Sequence, residues 1–377
     1  MTNKQARDQG VKSAFCGSWV ALLGRGDKPT DAIRDYCSFL SQALATQGVQ
    51  LVCDQVSWHL EGSFKAFSGL WHQTARWAGR RVLLQYTALS WSRRGFPFRV
   101  LVSLAVLKIR GARCAIVFHD TQGYGGARKI DHVRNAVQCW IMRQAYRLAE
   151  KSIFAIPVEN ATWLPKSAAK AAFIAIGANL PDLSSVRGEA SSHRARSKTV
   201  AVFSLTGGDS LIKEVREIGQ TLHQVSKNHE NLNLLLLGRN SQEAEKAMKK
   251  ALERTTVTLE VLGIVTPSEI ALRLSSSDVL LFVRGAVTGA RSSALAGVAC
   301  GLPIVGYRGR DTTFPITEAG VELVEYGNLQ ALGLALNRVL TDDRHRQELR
   351  SRSSQTYQRY YCWVKIAGDY LAVLGHA

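Results

Sequence analysis

Short apolar runs alternate along this chain with longer stretches whose apolar positions recur every three or four residues, the signature of strands alternating with helices. The first run, 19–23, predicts a strand that leads into the loop Gly24-Arg25-Gly26-Asp27. A helix over 30–47 follows, carried by Ile33, Tyr36, Cys37, Leu40 and Leu44, with Asp31 and Asp35 on the favourable side of its dipole. Gly48 stops it, and 49–53 reads as the next strand. After a segment holding Trp58, Trp71 and Trp77, a strand is predicted at 81–86, a helix at 98–108 closed by Gly111, and a buried strand at 114–118 ending in His119-Asp120. A glycine-rich loop at 123–126, a long helix at 132–151, a strand at 152–157, a helical turn at 161–164 and a strand at 172–176 complete this half.

Residues 181–199 are rich in Ser, Arg and Lys and poor in apolar side chains, which marks an interdomain linker. The alternation then restarts, with strands at 200–205, 232–237, 257–261, 279–283, 303–307 and 321–324. Helices are predicted between and after them at 211–228, 242–252, 266–274, 329–340, 343–361 and 361–374, with a further helix opening near Arg291 to Ser293. Strands and helices alternating at these lengths imply an α/β chain with parallel sheets covered on both faces. With 377 residues and 46% apolar content, two cores are expected rather than one. Two such domains joined by a polar linker can turn the carboxyl ends of their strands toward a central cleft.

Charge changes the picture. The chain carries 48 Lys and Arg against 30 Asp and Glu, a net of +18. Residues 1–180 hold 24 basic and 10 acidic residues, and the remainder 24 and 20, so the excess lies in the first half. Such an excess favours an anionic partner. Many of its members, Arg93, Arg94, Arg99, Lys108, Arg110, Arg128, Lys129, Arg134, Arg143 and Arg147 among them, are interleaved with Trp91, Phe96, Phe98 and Trp140. That mixture suits an acidic membrane surface, and equally a solvated face. Nucleic acid is not expected as a partner, because no helix-turn-helix or aromatic RNA-binding strand accompanies the charge. The seven cysteines are scattered without a CxxC unit, which suits reduced thiols and a cytoplasmic location. No secretory leader is expected, and no apolar run is long enough to span a bilayer.

The stretch 284–307 holds the strongest chemical signal. A strand delivers the chain to Gly285, and Arg291, Ser292 and Ser293 open a helix of small residues that ends at Cys300-Gly301-Leu302-Pro303. Unpaired helix amides, two hydroxyls and a guanidinium can converge on one anion; alternatively a serine simply caps the helix and Arg291 is solvated. Ala294, Ala296, Gly297 and Ala299 leave room for a ligand or for a neighbouring strand. His119, at the carboxyl end of a buried strand, stands where open α/β sheets keep ligand-handling groups, and it can also be purely structural. The loop 24–27 lacks the GxGxxG dinucleotide fingerprint, and neither GxxxxGK[ST] nor GxSxG is present. Asp27, Glu61 and Asp120 are the acidic candidates of the first half, with no close pair that marks a hydrolase.

Taken together, these segments resemble the retaining GT-B glycosyltransferases of family 4. The resemblance spans nearly the whole chain: 22–26 with the helix after it, Gln85-Tyr86, Ala112 to Asp120, and Ile156 to Glu159 in the first half. In the second half it rests on 203–208, 231–238, 261–265, 278–282 and, most specifically, 299–305; Tyr361-Cys362-Trp363 before Ile366 and Tyr370 resembles the closing tryptophan helix. It implies two Rossmann-like domains: an acceptor-side domain at 1–183, a linker at 184–199, a donor-side domain at 200–355, and a helix at 356–377 that crosses back.

The resemblance further implies a nucleoside diphosphate sugar as co-substrate, a glycan or lipid-linked acceptor, and neither cofactor nor metal. Catalytic roles fall on His119, reaching the transferred sugar, and Arg291, at the diphosphate. Donor contacts fall on Gly24, Gly26, Thr206, Gly207, Gly208, Lys213, Gly263, Ile264, Val265, Arg284, Thr288, Gly289, Ser292, Ser293 and Leu295. Acceptor contacts fall on Arg25, Asp27, Tyr86, Asp120 and Tyr124. Two departures stand out. The family's paired glutamates, eight apart, are replaced by Thr288 and Ala296. Its Arg and Lys after the first donor-domain strand give way to Thr206-Gly207-Gly208-Asp209, so Lys213 is the nearest cation, and Arg284 or Arg291 could compensate in charge. The expected activity is sugar transfer in glycan or surface polysaccharide assembly, on the inner face of a membrane or free in the cytoplasm. The alternatives are a noncatalytic protein that binds nucleotide sugars or glycans, and a nucleotide-sugar hydrolase or epimerase.

Overall fold

The computed structural model describes residues 17–28, 30–56, 62–126, 128–181 and 197–375. Most of the predicted linker, together with Cys16, Trp58 and Glu61, lies outside the described residues. The chain divides into two units, 1–175 with 363–377, and 176–362.

In the first unit the elements run β1 (Gly17–Leu23), α1 (Ala32–Ala45), β2 (Val49–Gln55), α2 (Gly62–Thr74), β3 (Arg81–Tyr86), α3 (Ala88–Trp91), α4 (Arg99–Ile109), β4 (Arg113–Phe118), α5 (Lys129–Leu148), β5 (Lys151–Phe154) and β6 (Ala171–Phe173). They form one parallel sheet in the order β2-β1-β3-β4-β5-β6. Every residue of β3 is buried, as a central strand covered on both faces requires. The Asp31 carboxylate caps α1 by accepting from the amides of Ile33 and Arg34. On one side of the sheet Ala66 and Leu70 of α2, Leu104 and Leu107 of α4, and Met142 and Ala145 of α5 share a single core with β3 and β4.

Helix α2 was not expected from the sequence. Its buried Ala66 and Leu70 are joined by exposed Phe64 and Phe67, so apolar residues surround the helix and blur the stripe that would have announced it. Helix α5 begins at Lys129 and ends at Leu148, three residues ahead of the predicted 132–151, and Lys151 starts β5 instead.

The second unit runs β7 (Lys198–Phe203), α6 (Asp209–Val225), β8 (Leu232–Leu237), α7 (Ser241–Leu252), β9 (Thr258–Gly263), α8 (Pro267–Ser276), β10 (Val279–Ala286), α9 (Ser292–Ala299), β11 (Ile304–Arg308), β12 (Val321–Glu325), α10 (Leu329–Thr341) and α11 (Asp343–Thr356). Its sheet is also parallel, in the order β12-β11-β10-β7-β8-β9. The predicted continuous helix 343–361 divides. After Thr356 a wide turn closes with the Cys362 amide donating to the Tyr357 carbonyl at 2.9 Å, five residues back. That turn ends the second unit and releases α12 (Trp363–Leu374), which packs in the first: Tyr370 Oη meets Tyr36 Oη at 2.8 Å and Trp363 stacks on Phe39.

Candidate functional site

In the second sheet, β7 is flanked by β8 on one side and β10 on the other, so the strand order reverses between β7 and β10. Open parallel sheets hold ligands beyond the carboxyl ends of their strands at such a reversal. The loop after β7 carries Thr206, Gly207 and Gly208; the Thr206 amide donates to Oε2 of the buried Glu214 at 2.8 Å, and Gly208 turns with φ of 66°. After β10 the chain enters α9, with Arg291 in the cap position. The amides of Ala294 and Leu295 return to the Arg291 carbonyl at 2.9 and 3.0 Å, and no side chain caps the helix. The amides of Ser292 and Ser293 therefore point out of the helix end, where the dipole favours an anion.

Arg284, on β10, approaches the same point. Its Nη1 donates weakly to Ser293 Oγ at 3.5 Å, and its buried Nε has no hydrogen-bond partner. Burial holds its pKa below the ordinary guanidinium value, helped by Arg291 and Arg239 and opposed by Glu214. Arg284 therefore lies in the field of two further guanidiniums and one carboxylate, a net positive charge that favours an anion. Sequence reading missed two of these groups. Arg239 follows the apolar strand β8 in Gly238-Arg239-Asn240, and that strand-end position was the available signal. Glu214 had none, because only the fold turns its carboxylate onto the Thr206 amide.

Backbone strain collects at the same corner. Ser204 and Asn240, after β7 and β8, are the two non-glycine residues with positive φ among the described residues. Asn240 Nδ2 donates to the Leu205 carbonyl at 2.9 Å and ties the two loops together. The Gly238 amide reaches the Gly263 carbonyl at 2.6 Å, which brings Gly263, the exposed Ile264 and Val265 alongside Arg239.

Other assigned residues lie elsewhere or are occupied. Lys213 donates to Tyr326 Oη at 3.2 Å and pairs with Glu217 at 3.7 Å, so the nearest cation in sequence is engaged beside β12. Leu295 is fully buried and its amide is used within the helix, so neither its side chain nor its amide is open to a donor. The small residues of α9 serve strand packing: a Cβ on Gly297 would come within 2.6 Å of Leu280 Cδ2, on β10. Thr288 and Ala296, in the glutamate positions, are both buried. A Cβ on Gly289 would stand 3.1 Å from the buried, unpartnered hydroxyl of Tyr361.

In the first unit the ends of β1, β3 and β4 converge. The Arg25 amide donates to the Ser90 carbonyl at 2.7 Å, and a Cβ on Gly24 would come within 2.6 Å of that same oxygen, so only glycine permits the approach. Asp120 accepts from the Ala88 amide at 2.8 Å, while Asp27 accepts from the neighbouring Lys28 amide. Gly26 lies beside the Asp31 carboxylate. The His119 amide donates to the Tyr86 carbonyl at 3.0 Å, its ring takes the edge of Tyr36 at 5.1 Å, and its Nε2 lies 2.8 Å from Gln85 Oε1. Gln85 Nε2 donates to the Leu83 carbonyl, which turns Oε1 toward the histidine and makes Nε2 of His119 the donor. Burial lowers the pKa of His119 to about 4, so the ring is neutral near pH 7 and Nδ1 is an acceptor. One acceptor assignment changes. Tyr86 is fully buried against Phe118 and belongs to the core, whereas Tyr124 is exposed beside α5, where Arg134 lies over its ring. Among the described residues no group of three or more His, Cys, Asp or Glu side chains is arranged to hold a metal ion.

No family model matches the chain, and no curated protein matches it in sequence. Solved structures do. The sucrose-phosphate synthase of Thermosynechococcus elongatus is similar over 95% of this chain and 98% of its own, at 15% identity and a TM-score of 0.70. HepE of Anabaena, solved in complex with UDP-glucose, is similar over 96% of this chain and all of its own, at 14% identity and a TM-score of 0.65. WaaG, a glycosyltransferase involved in lipopolysaccharide biosynthesis, is similar over 95% of this chain and all of its own, at 12% identity and a TM-score of 0.62. At these identities the likeness establishes the fold: two parallel-sheet Rossmann-like domains, consistent with the GT-B architecture.

Proposed function

We propose that this protein transfers a sugar from a nucleoside diphosphate donor to a hydroxyl group on a glycan or lipid-linked acceptor. The observation that carries the reading is the meeting of Arg284 and Arg291 at the uncapped start of α9 at the strand-order reversal, with Arg239 adding positive charge that acts on Arg284. A diphosphate fits that charge, and the α9 amides supply directed donors to its oxygens. Arg239 and Arg284 take the place of the cations that the family carries after its first donor-domain strand. HepE, a similar fold solved with UDP-glucose, supports a uridine nucleotide as the first donor to try.

Transfer with retention needs no protein nucleophile. The departing phosphate shares the acceptor proton on the face it leaves, and the protein positions the partners and stabilises charge on the diphosphate. In this reading Arg291 and Arg284 hold the leaving group. His119, neutral and with Nδ1 as an acceptor, takes a hydrogen bond from a sugar hydroxyl and does not serve as a phosphate ligand. The assignments of Gly24, Gly26, Arg25, Asp27 and Asp120 to substrate contacts, and a cytoplasmic site of action at the inner face of a membrane, belong to the same proposal.

The test incubates the purified protein with a panel of nucleotide sugars and follows free nucleoside diphosphate with and without candidate acceptors. Release that depends on acceptor supports transfer, and release without acceptor above background supports a hydrolase. His119→Ala should slow turnover more than it weakens nucleotide binding, and equal loss of both would remove it from the sugar. A second reading, a binding protein without turnover, is favoured by the buried Thr288 and Ala296 where the family has glutamates. Nucleotide-sugar binding with no release across the panel would select it.

A further inference from the structure

The outward sides of α2, α4 and α5 present apolar residues at helical spacing although each helix already buries its other side in the core. On α4 the exposed stripe is Phe98, Val102 and Ile109, at 50, 40 and 70% exposure. On α5 it is Val133 and Trp140, and on α2 it is Phe64 and Phe67. The three helices pack side by side with α4 in the middle, and their inner residues share one core, so their outer sides look the same way. Phe98 and Trp140 touch across the α4–α5 seam, with ring centroids 6.4 Å apart. Exposed apolar side chains gathered on one face and rimmed by polar residues mark an interaction surface.

The charge around the stripe has one sign. Residues 80–147 contain 13 Lys and Arg against 2 Asp, a net of +11 from a chain total of +18. Both carboxylates are spent internally: Asp120 accepts the Ala88 amide, and the buried Asp131 pairs with Arg134 at 2.7 Å. Exposed Arg93 and Arg94 border a groove of about 420 Å³ shared with Trp91, Phe96 and Phe98, and exposed Lys129 and Arg143 flank Val133 and Trp140. Apolar side chains ringed by cations, with no free anion among the described residues of these helices, match an interface of acyl chains beneath anionic headgroups.

We propose that the face formed by α2, α4 and α5 docks this protein on a bilayer containing anionic lipids. Phe98, Val102, Ile109 and Trp140 enter the headgroup boundary while Arg93, Arg94, Lys129 and Arg143 meet lipid phosphates. The proposal supplies the membrane partner of the function above, yet it rests on a different surface and stands without any nucleotide.

The experiment sediments the full chain with vesicles of phosphatidylcholine alone and with an equimolar mixture of phosphatidylcholine and phosphatidylglycerol, at low and high salt. Binding is expected on the anionic vesicles only and should weaken with salt. Arg93→Ser with Arg94→Ser should weaken it about 25-fold, at about fivefold per arginine. Val102→Ser with Ile109→Ser should weaken it about tenfold, and because these side chains face outward both doublets should melt as the parent does. Equal binding to both vesicles, no binding to either, or anionic binding unchanged by both doublets would overturn the proposal. So would self-association through these residues without vesicle binding, which would make the face a protein interface. Nucleotide titration of the same preparations reads the catalytic proposal separately.

Discussion

Replacing Arg284 by Met separates a ligand-binding arginine from a structural one, because the two roles move stability and affinity in opposite ways. In the free protein Arg284 gains little. Its Nε has no partner and its Nη1 reaches Ser293 only at 3.5 Å, so the hydrogen bonding lost is worth under about 1 kcal/mol. The attraction to Glu214 is also lost, but repulsion from Arg291 and Arg239 and the burial of a charge are relieved. These contributions oppose one another, and the unfolding free energy should stay within about 1 kcal/mol of the parent, a change of at most about 4 °C in Tm. Affinity for a nucleoside diphosphate should respond far more. Removing a half-buried cation from a phosphate, with Arg291 and the α9 amides still present, costs about 2 kcal/mol, or roughly 30-fold in Kd. Titration calorimetry with UDP and thermal melts of the same two proteins give both numbers. A clear fall in Tm with unchanged UDP affinity would refute the reasoning and make Arg284 part of the framework.

The neutral His119 gives a pH dependence with a defined sign. Its folded pKa of about 4 lies below the roughly 6.5 of an unfolded chain, so the unfolded state takes up the proton first and stability falls as pH drops from about 6.5 toward 4. Between about pH 7 and pH 5 the parent should lose about 2 kcal/mol more than His119→Gln in chemical denaturation, and parallel losses would contradict the buried neutral ring. Cys53 should be the most reactive thiol on β2 and its neighbours: the hydrogen bond from Cys37 lowers its pKa to about 7. The contacts of Ser41 Oγ with the Leu51 carbonyl and of Arg34 with Gln55 set α1 against β2 in the register that brings the two cysteines together. Alkylation of Cys53 by iodoacetamide should reach half its limiting rate near pH 7, and Cys37→Ala should move that midpoint up toward the ordinary thiol value; a midpoint indifferent to the change would rule out the pairing. Ala296→Glu should not restore a family-like site, because the position is buried; it should cost about 3 kcal/mol in unfolding free energy, and a neutral effect would show that α9 has room for a ligand there.

Regular structure was readable wherever one face of an element is apolar and the other polar. The helices α1, α6 and α10 follow such patterns closely, strand β3, buried throughout, follows from its short apolar run, and Gly48 and Gly111 punctuate the chain as expected. The pattern failed at α2, where Phe64 and Phe67 face outward and remove the contrast between faces. It failed again at 357–361, where a single wide turn interrupts an otherwise unbroken helical period. One exception lies on the cationic apolar face and the other where the second unit ends.

By itself the sequence determined the alternation of strands and helices, the concentration of positive charge in the first half, and the start of a small-residue helix near Arg291 to Ser293. These follow from neighbours along the chain, through side-chain periodicity, caps and charge counts. Only the tertiary structure decided which cations reach that helix start. Lys213, close in sequence, is drawn to Tyr326 and Glu217, while Arg284 on β10 reaches Ser293 at the start of α9, and Arg239, far from it in sequence, adds its charge because β8 and β10 flank β7. It likewise sent the ring of Tyr86 into the core and set Gln85 against His119, fixing the histidine as a neutral acceptor. The reason is geometric: electrostatic strength and pKa depend on distance and burial, and both are set by strand order, which no local pattern of residues encodes.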